Sequence, residues 1–303
     1  MENKASIQNI TVQYCFPDNN SSCRKELHTP TNLLILSVAV ADLLMGLFVM
    51  PVNIMQLINS CWYLGKIACT VSIMVSFVST SGSLCSLVLI AVDRYIAVTD
   101  PLLYSVKFTV CKTLLLIIVG WSFLLLYIFI YMYSNNHLLP SQIISTCYGE
   151  CVIYVKHSWV FVDVVVSFLT PCSVILVLYS IIFKVARRQA KAVRAVMNGV
   201  SNRHGAKVSN VSETKAAKTL AIIIFVYLAC WIPYFLSCLS VENLTTSSTV
   251  WTVFSWLAYM NSSMNPLIYA IFHPWFRASS EYIVTCKIFL HSSSRFNLFP
   301  EHF

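Results

Sequence analysis

Charged residues are scarce in this chain of 303 residues. Only 11% of the residues are charged and 57% are hydrophobic, and the mean hydropathy is +0.72. Soluble domains carry about a quarter charged residues, so the composition excludes an ordinary soluble protein and indicates one that crosses a membrane several times. Acids are scarcer than bases, 12 against 20, which gives a net charge of +8. In a membrane protein an excess of basic residues indicates the orientation of the chain in the membrane. We therefore expect no nucleic-acid partner.

Several kinds of functional site are also missing. His157, His204 and His273 are too dispersed for a metal site, and no catalytic constellation is present. The twelve cysteines are too scattered for a small disulfide scaffold or a zinc module. The first residues lack the apolar core of a secretory signal peptide. The sequence therefore predicts a protein that is not an enzyme.

Six apolar segments are long enough to cross a bilayer, which takes about 20 helical residues. Proline interrupts four of them, as membrane helices tolerate. We predict an all-α membrane protein with a helical bundle over residues 27–273, preceded by an N-terminal segment (1–26) and followed by an amphipathic helix and cytoplasmic tail (274–303). The helices are expected at approximately 32–57, 67–92, 112–134, 158–183, 216–240 and 249–272.

Basic residues set the direction of the chain, because cytoplasmic loops are enriched in lysine and arginine. The connections 93–112 and 184–218 and the tail after 273 are basic and predicted to be cytoplasmic, whereas 135–157 and 241–248 carry almost no basic residues and are predicted to lie outside. This orientation starts the first apolar segment on the cytoplasmic side.

The N-terminal segment conflicts with that orientation. It carries two cysteines and three glycosylation sequons, which are features of an extracellular segment and place the sugars on Asn9, Asn19 and Asn20. We infer that one helix is missing between Glu26 and Leu27, through exon skipping or an incomplete gene model. The alternative is an unglycosylated N-terminus in the cytosol.

Asp163 lies within an otherwise apolar stretch, residues 158–180. A carboxylate in hydrocarbon costs roughly 3 kcal/mol on insertion scales, so acids within the membrane usually have a function. A positively charged ligand is one source of the missing counter-charge. The alternatives are a neutral carboxyl or a protein cation, for which Lys156 and His157 are the nearest candidates.

Motifs occur in a fixed order along the predicted helices: Asp42, Asp93-Arg94-Tyr95, Trp121, Pro171, Cys230-Trp231-Ile232-Pro233 and Asn265-Pro266-Leu267-Ile268-Tyr269. The same motifs follow one another in the rhodopsin-like (class A) G-protein-coupled receptors, which the chain resembles from residue 27 to about 287. Only the first helix of that family has no counterpart here. The resemblance implies a rhodopsin-like bundle with six of the usual seven helices.

The stretch NSSMNPLIYAIFHPWFR, residues 261–277, narrows the resemblance. It is similar to the fingerprint of trace amine-associated receptors, with His273 in place of one tyrosine, and suggests a fish-type olfactory member. The resemblance implies a plasma-membrane receptor that binds small cationic amines and activates a heterotrimeric G protein of the stimulatory class.

The resemblance also implies an activation switch and an ion site. Arg94 would pair with Asp93 and, across the bundle, with Glu213 until activation separates them. The remaining residues of the switch would be Tyr95, Asn265, Pro266 and Tyr269. Asp42, with Ser83 and Asn265, would bind an allosteric sodium ion, since oxygen ligands suit a hard cation. The alternative for Asp42 is a protonated, hydrogen-bonded carboxyl.

The expected amine site departs from that of most amine receptors. Their ligand pairs with an aspartate eighteen residues before the arginine of the cytoplasmic triplet, and Ser76 occupies that position here. Asp163 lies eight residues before Pro171, or about 12 Å along the helix, and we expect it to replace the missing acid. The predicted ligand-binding residues are Asp163, Ser76, Phe77, Thr80, Trp231, Tyr234, Phe235 and Tyr259.

By the same resemblance Cys69 pairs with Cys151, and Cys147 would then pair with Cys15 or Cys23. Two other functions stand beside the amine receptor. One is a non-signalling truncated receptor, retained in the endoplasmic reticulum or dimerising with intact partners. The other is a six-helix channel or transporter, which would need an internal repeat or an acidic or amide-rich pore lining, and the sequence has neither.

Overall fold

The computed structural model describes residues 14–16, 19–22, 29–58, 62–135, 151, 155–199, 222, 224–239, 249–272 and 280–286. Two short strands precede a bundle of helices. The strands are β1, Tyr14–Phe16, and β2, Asn19–Ser22. The helices are α1 (Pro30–Ile58), α2 (Gly65–Thr99), α3 (Pro101–Lys107), α4 (Val110–Ser134), α5 (which begins at His157 and ends at Gly199), α6 (Ile224–Leu239) and α7 (Thr249–Phe272).

Four of the described helices, α1, α2, α4 and α5, are long and apolar enough to cross a membrane. The described part of α6 is shorter, and the predicted helix 216–240 begins outside the described residues. Helix α7 has 24 residues and buries the polar side chains of Asn261, Ser262 and Asn265 against its neighbours. The architecture is that of a multi-pass helical membrane protein.

Threonine caps begin two of the membrane helices. The Thr29 hydroxyl accepts a hydrogen bond from the backbone N–H of Asn32 at 3.2 Å, and Pro30 takes the first helical position of α1. Thr109 caps α4 by accepting from the N–H of Lys112 at 3.4 Å. Such caps satisfy backbone donors that lack an intrahelical partner, and proline at the first position loses no hydrogen bond.

A widened turn precedes the proline in two helices. Residues Met45–Val49 of α1 and Val164–Leu169 of α5 form π-helical turns, followed by Pro51 and Pro171. Proline lacks an N–H and its ring clashes with the carbonyl four residues earlier. That carbonyl falls within the widened turn in both helices, so the π turn accommodates the proline without breaking the helix.

Helix α2 runs through the centre of the bundle and packs against α1, α4 and α5. A hydroxyl network joins three of these helices: the Ser37 and Ser86 hydroxyls are 2.7 Å apart, and the Trp121 indole N–H donates to Ser37 at 3.0 Å. Gly82 lies beneath the Trp121 ring, where a Cβ atom would come within 3.0 Å of the indole. The small residues therefore allow the tryptophan to seal the contact of α4 with α2.

The strands form an antiparallel pair in the N-terminal segment, with Tyr14 opposite Ser22 and Phe16 opposite Asn19. They add a small element to the all-α architecture expected from the sequence. Of the predicted glycosylation sites, Asn9 lies outside the described residues, and Asn19 and Asn20 are described only as backbone of β2.

A disulfide joins Cys69, near the start of α2, to Cys151, and it confirms the pairing that the resemblance implied. It holds the segment before α5 against the outer end of α2, with Val155 and Trp159 packed beside it. Cys147, which was predicted to pair with Cys15 or Cys23, lies outside the described residues.

Candidate functional site

A cavity opens near the end of the bundle that carries the Cys69–Cys151 disulfide. It encloses about 460 Å³, including space open to the outside. Aromatic and apolar side chains form most of its wall, and Asp163 is the carboxylate among them. The lining residues are Phe77, Tyr131, Val155, Val160, Asp163, Val164, Tyr234, Phe235, Cys238 and Trp251.

Neutral hydroxyls hold the Asp163 carboxylate. Ser167, one turn further along α5, donates to Oδ1 at 2.7 Å, and Tyr127 of α4 donates to the same oxygen at 3.3 Å. The second oxygen, Oδ2, accepts no hydrogen bond from the described residues. The carboxylate is thus oriented by its neighbours while its charge is not neutralised by them.

The two candidate counter-charges nearest in the sequence, Lys156 and His157, have other contacts. The Lys156 ammonium donates to the Ser134 carbonyl at 2.7 Å, and the His157 ring packs edge-on against Phe161 with centroids 4.8 Å apart. Within the part of the chain that the structure describes, no cation forms an ion pair with Asp163. An intramembrane acid without a protein counter-charge is suited to a cationic ligand.

Aromatic rings line the cavity that contains this acid. Tyr131 lies 5.3 Å from Phe77 and edge-on at 5.8 Å from Trp159, measured between ring centroids. Among the other lining residues, Tyr234 lies 5.0 Å from Trp251 and 5.2 Å from Phe235. A cation that lies over the face of an aromatic ring gains about 0.5–1 kcal/mol at exposed sites, and more where water is excluded.

The structure brings half of the predicted ligand-binding residues together at the cavity: Asp163, Phe77, Tyr234 and Phe235. Trp231 does not line the cavity; it stacks on Tyr227 at 5.9 Å, with its ring tilted against Phe235 at 5.8 Å. Its buried indole N–H has no hydrogen-bond partner among the described residues. Ser76 hydrogen-bonds Tyr259, and Ser76, Tyr259 and the half-buried Thr80 do not line the cavity.

Sequence reasoning missed several residues around the acid. Ser167 had a signal, because a residue four positions after Asp163 lies on the same helix face. Tyr127 and Tyr131 come from α4, and Trp251 from α7, so their approach to Asp163 depends on helix packing. Cys238 follows Tyr234 by one turn of α6 and also lines the cavity.

Asp42 forms a second buried acidic site, between α1, α2 and α7. Asn265 donates its amide N–H to Oδ2 at 2.9 Å, and Ser83 donates its hydroxyl to Oδ1 at 3.5 Å. Ser262 also hydrogen-bonds the carboxylate. A carboxylate beside hydroxyl oxygens fits a hard monovalent cation, and it equally fits a hydrogen-bonded neutral carboxyl. Among the described residues, no cluster of three or more histidine, cysteine or acidic side chains could hold a metal.

Two of the predicted activation residues, Asp93 and Arg94, meet at the other end of α2. Arg94 binds the fully buried carboxylate of Asp93 through Nε at 3.0 Å and Nη2 at 2.5 Å. Two unpredicted hydroxyls complete the cluster. Tyr104 of α3 donates to Asp93 Oδ1 at 2.6 Å, and Thr31 donates to Oδ2 at 2.9 Å while accepting from Arg94.

The remaining predicted switch residues are only partly described. Glu213 lies outside the described residues, and Tyr269 is described only as backbone of α7. Tyr95 is half-buried one residue after Arg94, and Pro266 lies inside α7 directly after Asn265. The pairing of Arg94 with Glu213 therefore stays a prediction.

Comparison with known proteins extends the likeness over the whole bundle. The family model of the 7 transmembrane receptor (rhodopsin family) matches residues 20–269. Trace amine-associated receptor 13c of Danio rerio is 39% identical over 280 residues, covering 91% of this chain and 82% of the relative. Trace amine-associated receptor 6 of Homo sapiens is 39% identical over 286 residues, covering 92% and 82%. Trace amine-associated receptor 7e of Rattus norvegicus is 39% identical over 286 residues, covering 91% and 79%.

Proposed function

Because this chain belongs to the trace amine-associated receptors of the rhodopsin (class A) family of G-protein-coupled receptors, we propose that it binds small cationic amines and signals to a heterotrimeric G protein of the stimulatory class. Members of this family are receptors, so the family assignment gives no support to a channel or transporter. The receptors are also not known as enzymes. The plasma membrane is the proposed location, since an extracellular amine must reach the cavity.

The observation that carries this proposal is the Asp163 carboxylate in the aromatic wall of the cavity. Both Tyr127 and Ser167 donate to Oδ1, which leaves Oδ2 to accept from a ligand ammonium. Unit charges about 4 Å apart attract by about 4 kcal/mol at an effective dielectric of 20. Desolvation of both charges takes back much of that energy.

The position of Asp163 also sets the direction of the proposed ligand. Ser76 on α2 adds no charge, and its hydroxyl is engaged by Tyr259. The ammonium group would therefore lie against α5, with the rest of the molecule pointing toward the rings of Phe77, Tyr131 and Trp251. An amine with an apolar or aromatic body satisfies both parts of such a site.

The test compares Asp163→Asn with the parent receptor in membranes, using 2-phenylethylamine and the neutral 2-phenylethanol as probes. We expect the variant to lose at least about tenfold in amine affinity, since one unpaired buried charge is worth more than 1.4 kcal/mol. Asp100→Asn is the matched control: it makes the same chemical change at an exposed acid that pairs with Lys107 at 3.0 Å. Unchanged amine affinity in Asp163→Asn, or an equal loss in Asp100→Asn, contradicts the proposal.

The inferred missing helix bears on signalling. Thr31, the second residue of α1, contacts Asp93 and Arg94, so α1 begins at the end of the bundle that carries the predicted switch. This supports the orientation from which a helix between Glu26 and Leu27 was inferred. Sequencing the transcript across that junction tests it. If the chain binds 2-phenylethylamine yet does not raise cyclic AMP, the non-signalling form is the better description.

A further inference from the structure

Four basic residues occupy one face of α5 where its apolar sequence ends. Lys184, Arg187, Arg188 and Lys191 follow the spacing i, i+3, i+4, i+7, which places them on one side of a helix over two turns. The side chains of all four are exposed. We call these four residues the basic stripe. Because α5 ends only at Gly199, the stripe lies within a continuous helix and not in a loop.

The basic stripe faces away from the described helices against which α5 packs. Ile175 and Ile182 are buried and mark the inner side of α5. Lys184 follows Ile182 by two residues and is therefore rotated about 160° from it. The stripe thus continues the outward side of the helix, where Leu176, Val177 and Phe183 are 47%, 58% and 51% exposed.

This outward side changes from apolar to basic at one position along the helix. Among the described side chains of α5, Phe183 is the last large exposed apolar residue and Lys184 is the first exposed basic one. The Arg187 guanidinium lies over the Phe183 ring, 4.2 Å from its centroid, and joins the two regions. In a membrane helix, such a boundary coincides with the passage from hydrocarbon to lipid headgroups.

No acid of the described segments neutralises the stripe. The ion pairs in those segments join Asp93 to Arg94 and Asp100 to Lys107. The inner side of the same turn is held separately, since the Gln189 amide donates to the Val98 carbonyl of α2 at 3.4 Å. The stripe therefore presents four positive charges over about 10 Å of helix, at 1.5 Å per residue.

We propose that the basic stripe binds the headgroup of a phosphoinositide in the cytoplasmic leaflet. Several phosphates on one headgroup match four cations on one helix face, and guanidinium groups bind phosphate oxygens in pairs. Basic clusters directly cytoplasmic of a membrane helix attract anionic lipid by about 1 kcal/mol per residue. A soluble protein that docks at the end of the bundle would meet the inner side of α5 before it met this outward side. The site is independent of the proposed amine.

The test uses the full chain in nanodiscs of phosphatidylcholine with phosphatidylinositol 4,5-bisphosphate or phosphatidylserine, and counts bound lipid by native mass spectrometry. In one variant all four stripe residues are replaced by glutamine. The matched control replaces four other bases of the same connection, Arg203, Lys207, Lys215 and Lys218, by glutamine. We expect phosphoinositide occupancy to fall at least about tenfold in the stripe variant and to change by less than about twofold in the control.

Four results would overturn the proposal. If the stripe variant binds lipid like the parent, the stripe is not the binding site. If the control loses as much binding as the stripe variant, the binding depends only on the net charge of the chain. Equal binding of phosphatidylserine and phosphoinositide by the parent contradicts recognition of several phosphates. If the stripe variant keeps its lipid but loses binding to a purified G protein, the surface is a protein interface instead. Should the fourfold variant fail to fold, the double variant Arg187→Gln with Arg188→Gln replaces it, and it too should lose phosphoinositide occupancy.

Discussion

Tyr127 of α4 donates a hydrogen bond to the Asp163 carboxylate of α5 across 3.3 Å. This contact joins the cavity acid to a neighbouring helix through a neutral group. It orients the carboxylate without neutralising it. Ser167 donates to the same oxygen, Oδ1, at 2.7 Å, so both hydroxyl donors bond one oxygen of the carboxylate.

The two hydroxyls are expected to contribute unequally to amine binding. A hydroxyl donor normally lies 2.5–3.0 Å from its acceptor, so Ser167 at 2.7 Å makes the stronger hydrogen bond and Tyr127 at 3.3 Å the weaker. Hydrogen bonds to charged groups contribute about 1.5–3 kcal/mol. We expect Ser167→Ala to lower amine affinity by about tenfold and Tyr127→Phe by less than about threefold. Titration of 2-phenylethylamine against both variants measures the order, and a larger loss in Tyr127→Phe would contradict it.

Sodium is expected to stabilise the receptor through Asp42. We propose that the ion is held by the Asp42 carboxylate and the Ser83 hydroxyl, with Asn265 orienting the acid. At ten times its dissociation constant, a ligand stabilises the folded state by about 1.4 kcal/mol. The thermal midpoint of the purified chain should therefore rise with sodium chloride and not with N-methylglucamine chloride at the same ionic strength. Asp42→Asn should abolish that difference. A parent chain indifferent to sodium would favour the neutral, hydrogen-bonded carboxyl.

The hydroxyl of Thr31 is expected to hold the Asp93–Arg94 pair in its observed arrangement. Thr31→Val keeps the shape of the side chain and removes a donor to the buried carboxylate, which costs about 1 kcal/mol. We expect a lower thermal midpoint and, if the receptor signals as proposed, higher basal cyclic AMP. Thr285→Val is the control, because that exposed hydroxyl bonds only the nearby carbonyls of Glu281 and Tyr282. Equal effects of the two substitutions would dismiss a particular role for Thr31.

Gly82 is expected to tolerate no side chain. A Cβ at this position comes within 3.0 Å of the Trp121 ring, so Gly82→Ala must move the indole and weaken its bond to Ser37. Overpacking of this kind costs about 1–3 kcal/mol. Gly46→Ala is the matched control, since nothing lies within 4 Å of its added Cβ, and alanine there should be neutral or stabilising by up to about 1 kcal/mol. Thermal unfolding of both variants decides the matter. A stable Gly82→Ala protein would show that the ring is free to move.

Much of the architecture could be predicted from the sequence because it depends on local properties. Apolar runs mark helices such as α4, predicted over 112–134 and found at Val110–Ser134. The motif order identified the family, and with it the pairing of Cys69 with Cys151. Asp163 stood out because an acid is costly in an apolar membrane-spanning segment, and this holds for any arrangement of the other helices.

The sequence by itself determined which residues share a helix and which acids must lie inside the membrane. Only the tertiary structure decided that Tyr127 reaches Asp163, that Thr31 and Tyr104 reach Asp93, and that Trp231 does not line the cavity. Helical periodicity defines the faces of each helix, but the rotation and crossing of neighbouring helices determine which faces meet. These contacts join residues far apart in the chain, and so the packing of the whole bundle was needed to reveal them.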